Sequence, residues 1–184
     1  MTTKERLASD QGTSARLIGK RVFFLLIGVF ALAMIAAVPQ ATASDLILGI
    51  GQDNIDSDQS SATTLQVEYH ANPLREYTWG QVSPLAVIDI DSDGDGYAGI
   101  GLAALWNTSE KWFVEGSVAA GYYDRGSDGV NLGGNLQFRT LVGFGFRTSV
   151  SSRVSVAVDH LSNAGLNDIN PGRNAITVRY ARSF

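Results

Sequence analysis

Val154-Ser155-Val156-Ala157-Val158-Asp159-His160-Leu161-Ser162-Asn163-Ala164-Gly165 alternates in polarity with a period of two until it reaches a turn-forming Asn-Ala-Gly end. Such alternation is the pattern of a β-strand, on which side chains at i and i+2 share a face. Val154, Val156 and Val158 therefore lie in line with His160 and Ser162, while Ser155 and Asp159 point the other way. A hydroxyl beside a base is the arrangement nucleophilic catalysis requires, because serine is a poor nucleophile until a neighbour takes its proton. The His160–Ser162 pair thus extends an apolar stripe, which must meet either a protein core or lipid.

The segments around this strand favour lipid. Arg16, Lys20 and Arg21 precede an uncharged apolar run, Val22–Val38, followed by Pro39 and Ala41-Thr42-Ala43. A basic region, an apolar region and a small-x-small site form a secretory signal peptide, so residues 1–43 are expected to be removed. A retained membrane anchor is the competing reading, with the run at the lower limit of a spanning helix. Residues 44–184 suffice for one domain. They carry nine Lys and Arg against sixteen Asp and Glu, which excludes nucleic acid as a partner class, and the chain has no cysteine to staple an exported domain. Beyond residue 43 no apolar run is long enough for a transmembrane helix, so a membrane can be crossed only by strands closed into a barrel.

Period-two alternation, punctuated by Gly, Asp, Asn and Ser, predicts strands at 45–53, 61–71, 82–90, 97–107, 111–123, 133–147, 151–162 and 174–184. Their even count and their lengths fit an all-β, eight-stranded antiparallel transmembrane β-barrel. One face collects Leu65, Val67, Tyr69, Trp112, Val114, Val118, Tyr122, Phe138, Val142, Phe144, Phe146, Ile176, Val178 and Tyr180. The other holds Gln66, Glu68, Glu115, Ser117, Gln137, Arg139, Arg153, Asp159, Thr177 and Arg179, whose opposite charges can pair in a narrow lumen. Gly99, Gly101, Gly116, Gly121, Gly143 and Gly145 suit the curvature of so small a wall. Trp79, Trp106 and Trp112 fall beside turns, where an interfacial aromatic girdle lies. The terminal Phe184 resembles the C-terminal signal of bacterial outer-membrane barrels. With both termini periplasmic, the strand bearing His160 and Ser162 ends at the cell exterior, which puts the pair on the lipid-facing wall at outer-leaflet depth, where lipopolysaccharide resides.

His160-Leu161-Ser162-Asn163-Ala164-Gly165, close to the end of a small exported barrel and followed by one loop and one strand, resembles the lipid A 3-O-deacylase (PagL) family of outer-membrane esterases. Asn170-Pro171-Gly172 agrees more weakly. The resemblance implies Ser162 as nucleophile toward an acyl ester of lipid A and His160 as its base. It implies an oxyanion hole from Asn163 and the backbone amides around Ala164 and Gly165, where each preorganised donor is worth about 3–4 kcal/mol. At the third triad position the family commonly has Glu, and this chain has Asn174. An Asn carbonyl still orients the imidazole but does not neutralise an imidazolium. Asp168 in the intervening loop is the alternative acid, whereas Asp159 has the parity of the lumen.

Three other motifs carry less. Asp89-Ile90-Asp91-Ser92-Asp93-Gly94-Asp95-Gly96 resembles the start of a calcium loop but lacks the carboxylate at the twelfth position, so it reads as an acidic exposed loop. His70 has no clustered ligands, and Asn107-Thr108-Ser109 is a chance glycosylation pattern in a bacterial exported protein. The expectation is a bacterial outer-membrane esterase that needs no cofactor and no metal, with lipid A in the membrane as substrate and water as co-substrate. Self-association into a homodimer stays open. A catalytically silent barrel on the same scaffold is the first rival, favoured by Asn174, and a soluble periplasmic barrel with an apolar ligand is the second.

Overall fold

A computed structural model describes residues 44–55 and 61–184. The signal-peptide expectation for residues 1–43 lies outside the described residues. The described chain forms β1 (Asp45–Asp53), β2 (Thr63–His70), β3 (Arg75–Tyr77), β4 (Gly80–Asp91), β5 (Gly96–Asn107), β6 (Trp112–Asp124), β7 (Leu136–Ser149), β8 (Ser152–Ser162) and β9 (Arg173–Ser183). Each pairs antiparallel with its neighbours, and β1 pairs with both β2 and β9, while β2 also pairs with β4. Eight strands therefore close into a barrel, which leaves no unpaired edge for a bilayer to accommodate.

The ninth strand, β3, is a short addition that pairs only with the start of β4. Sequence alternation misses it because Arg75-Glu76-Tyr77 is exposed throughout and buries no face. A second difference is at β7, which begins at Leu136, later than the alternation suggests. Gly133 has φ +82°, and the preceding residues fold inward as a loop in which Val130 and Leu132 are buried.

Every residue expected on the polar face is buried in the lumen, and the charged ones pair there. Glu68 is the hub: Arg139 Nη1 lies 2.7 Å from its Oε1, and Arg179 reaches its two oxygens at 2.9 and 3.0 Å. Arg139 also meets Asp159, Arg153 meets Asp45 at 2.8 Å, and Arg173 is shared among Asp53, Asp89 and Asp91. Burial of these ions is tolerable only because each has a partner of opposite sign. The outer half of the lumen is sealed by an apolar cluster that includes Tyr97, Tyr123, Val130, Leu132 and Leu161. No open conduit is expected of so narrow a cylinder.

The outside has the opposite character. Ile100, Val118, Val142, Phe144, Val156 and Val178 stand exposed around the wall, a continuous apolar surface that water does not support and lipid does. Ser44 and Phe184 exchange backbone hydrogen bonds of 3.2 and 3.0 Å, so both ends of the described chain lie at one rim. Trp79 stacks on Trp106 and Trp112 on Phe144 toward that rim, forming the aromatic girdle. The barrel is of the outer-membrane type, and the end of β8 that carries His160 and Ser162 lies at the opposite rim.

Candidate active site

β8 and β9 build the site together. On β8 the exposed series Val156, Val158, His160 continues the lipid-facing stripe, with Ser162 half-buried where the strand ends. Register pairs His160 with Thr140 of β7 on one side and Asn174 of β9 on the other, and pairs Ser162 with Phe138. His160, Ser162 and Asn174 thus project from the exterior wall at the rim remote from the termini. Alternation and strand count put His160 and Ser162 there.

Across the β8–β9 pair, Nδ1 of His160 lies 2.7 Å from Oδ1 of Asn174. An amide oxygen only accepts, so this contact fixes the tautomer: Nδ1 carries the proton and donates it, and Nε2 keeps its lone pair. The arrangement makes Nε2 the basic atom of the ring. Asp168 is exposed in the 163–172 loop and takes no part in this contact. Asp159 faces the lumen, where it accepts from Gln66 and Arg139.

After Ser162 the chain reverses through Asn163-Ala164-Gly165-Leu166. Ala164 (φ +56°) and Gly165 (φ +77°) both occupy the left-handed region, and Leu166 N donates to Asn163 O at 3.1 Å, which defines a type I′ turn. Alanine is rarely found in this conformation, and such strain is typical of functional sites. The turn is held from beneath by Asn163, whose side chain is fully buried. Its Nδ2 donates to Leu132 O at 2.8 Å and Ile169 O at 2.7 Å, and its Oδ1 accepts from Gly165 N at 2.9 Å. Asn163 N in turn donates to Asn170 Oδ1 at 3.1 Å.

This differs from the oxyanion set of Asn163, Ala164 and Gly165 implied by resemblance. The donors of Asn163 and Gly165 are spent on the turn and on the carbonyls of Ile169 and of Leu132, the latter shared with Gln137 Nε2 at 3.3 Å. Asn163 latches the β6–β7 and β8–β9 loops to each other, and of the three residues Ala164 is the one whose N–H is not drawn into these bonds. Two residues that residue-type reasoning did not single out complete the surroundings. Asn170 caps the peptide after the serine, and Gly172 packs against the imidazole, where an added Cβ would stand 2.7 Å from His160 Cε1. The signals for either were the turn-forming character of Asn170-Pro171-Gly172 and its weaker agreement with the family, neither of which assigns a role.

Among the described residues no group of three or more His, Cys, Asp or Glu is arranged to hold a metal ion. In the acidic loop Asp91 Oδ1 instead accepts the backbone N–H of Asp93 and Asp95 at 3.0 and 2.9 Å. Asp95 accepts from Gly126 N and Val130 N, tying the β6–β7 loop over the barrel mouth.

Residues 52–183 match the model of the family described as lipid A 3-O-deacylase (PagL). A curated relative, the lipid A deacylase PagL of Bordetella bronchiseptica, is 30% identical over 80 residues. That match covers 43% of this chain and 45% of the relative, so the chain spans less than half the length of the curated protein it resembles. The fold is similar to the crystal structure of the outer membrane enzyme PagL, with a TM-score of 0.60 and 19% identity over 75% of this chain and 98% of that one. It is also similar to a de novo designed transmembrane β-barrel, with a TM-score of 0.51 and 8% identity over 80% of this chain and all of the design.

Proposed function

The chain belongs to the lipid A 3-O-deacylase (PagL) family, and on that premise we propose that it hydrolyses an ester-linked acyl chain of lipid A from the lipid-facing wall of its barrel. The observation that carries this reading is the His160 Nδ1 to Asn174 Oδ1 contact of 2.7 Å, which leaves Nε2 as a base on the face it shares with Ser162.

In this mechanism Nε2 of His160 takes the Ser162 proton as Oγ attacks the ester carbonyl. The carbonyl oxygen becomes an alkoxide, for which the Ala164 N–H, not drawn into the bonds of the turn, is the amide we assign as donor. The tetrahedral adduct collapses by breaking the bond to the sugar oxygen, which leaves with the proton held on His160. An acyl ester on Ser162 remains. Water then repeats the sequence with His160 as base, releasing the hydroxy fatty acid and restoring the serine. Asn174 orients the ring throughout but adds no negative charge to offset the imidazolium, so proton abstraction is slower than with a carboxylate there. A site on the outer wall lets the glycolipid react without leaving its leaflet, and the apolar stripe Val156, Val158, Ile176 and Val178 beneath it offers a track for the acyl chain.

Purified protein incubated with lipopolysaccharide is expected to release hydroxy fatty acid detectable by mass spectrometry, and Ser162→Ala to abolish the release. Release undiminished in Ser162→Ala would overturn the assignment of the nucleophile. No release from the wild-type barrel would favour the silent-scaffold rival that Asn174 suggests.

A further inference from the structure

We propose that Gly172 is a positioning residue for the base: its bare Cα is the steric stop that, with Asn174 as acceptor, clamps the His160 imidazole at two points. The inference rests on the catalytic reading above. Three facts support it. Gly172 has φ +72°, and a Cβ built there would lie 2.7 Å from Cε1 of His160, closer than carbon atoms approach without displacement, with Nε2 at an ordinary 3.5 Å. The next contact for that Cβ is Leu161 O at 3.6 Å, an ordinary separation, so the obstacle is the ring and not the backbone. Gly172 and Asn174 flank Arg173, whose guanidinium is anchored in the lumen on Asp53, Asp89 and Asp91. That inward anchor at the first residue of β9 sets Asn174 on the outer side of the wall and fixes where the chain enters the strand from Gly172.

The consequence follows from where the contact falls. Cε1 sits between the two ring nitrogens, so pressure on it moves both. The Nδ1 contact with Asn174 lengthens, and Nε2 departs from the position it needs toward Ser162. The ring is the mobile end of a side chain and yields more readily than the wall, so a substitution here spoils alignment before it spoils the barrel. A displacement near 1 Å at a reacting group lowers a rate by about 100-fold.

Gly172→Ala and Gly172→Asn separate alignment from backbone strain, since Asn enters the left-handed region at lower cost than Ala. Both variants are expected to keep the heat-modifiable electrophoretic mobility of a folded barrel, to lose about 10- to 100-fold in kcat with KM within about twofold, and to shift the ring resonances of His160 in 15N spectra. The chain has two histidines, so lumenal His70 serves as the internal reference. In a His160→Ala background, Gly172→Ala is expected to cause no further loss. Full activity in Gly172→Asn, or His160 resonances unmoved in Gly172→Ala, would overturn the clamp. The resonance measurement needs no turnover, so it tests the clamp even if wild-type protein releases no fatty acid, an outcome that would instead overturn the catalytic reading.

Discussion

His160 and Asn174 face each other across the β8–β9 pair with Nδ1 and Oδ1 2.7 Å apart, and this contact alone sets which ring nitrogen is basic. The pairing is neutral where a carboxylate would be charged. Asn174→Asp, nearly isosteric, is therefore expected to raise kcat by about tenfold, the equivalent of about 1.4 kcal/mol of added stabilisation of the imidazolium. Asn174→Ala should lower kcat at every pH.

Asn163 has a different task from its neighbour Ser162. Removing its amide in Asn163→Ala takes away the donor that the Ile169 carbonyl accepts from at 2.7 Å and leaves the Leu132 carbonyl, now held at 2.8 Å, with only the longer contact from Gln137 Nε2 at 3.3 Å. The expected cost is roughly 1–3 kcal/mol in urea unfolding from detergent or vesicles. Activity should fall with it, because the same side chain supports the turn after the nucleophile. Stability unchanged in this variant would mean that the two outer loops are not joined through Asn163.

The two faces of the wall should respond oppositely to charge. Glu68→Ala leaves Arg139 and Arg179 without their shared carboxylate in the lumen and is expected to destabilise by about 3–5 kcal/mol. Val142, 67% exposed and far from either rim, should tolerate Ala, whereas Val142→Arg should cost about 2–4 kcal/mol when the barrel is folded into a bilayer. An arginine accepted there without cost would argue against a lipid-facing wall.

The barrel was legible in the sequence because alternation is enforced wherever one face meets lipid and the other a charged lumen: Gln66, Glu68 and Arg139 could not exchange faces with Leu65, Val67 and Phe138 without burying unpaired ions or wetting apolar groups. Where that constraint lapses the sequence is silent. β3 buries neither face and left no pattern, and the inward fold of the β6–β7 loop depends on Asp95, far away in sequence. Within the site, the shared face of Ser162 and His160 was legible from parity, and their rim from the strand count. The role of Asn163 was not, because nothing local reveals that its amide reaches Leu132 and Ile169 in preference to a substrate. Gly172 escaped for a related reason: the ring it touches lies on another strand.

A lipophilic fluorophosphonate tests the central claim most directly, since it reports the activated serine as a covalent mass without needing the natural substrate. Incubated with the folded barrel in vesicles, the reagent should phosphonylate Ser162 as the single modified serine in peptide mass spectra, and His160→Ala should prevent the modification. Labelling at another serine, or labelling of Ser162 that persists without His160, would contradict a lipid-facing serine activated by that histidine.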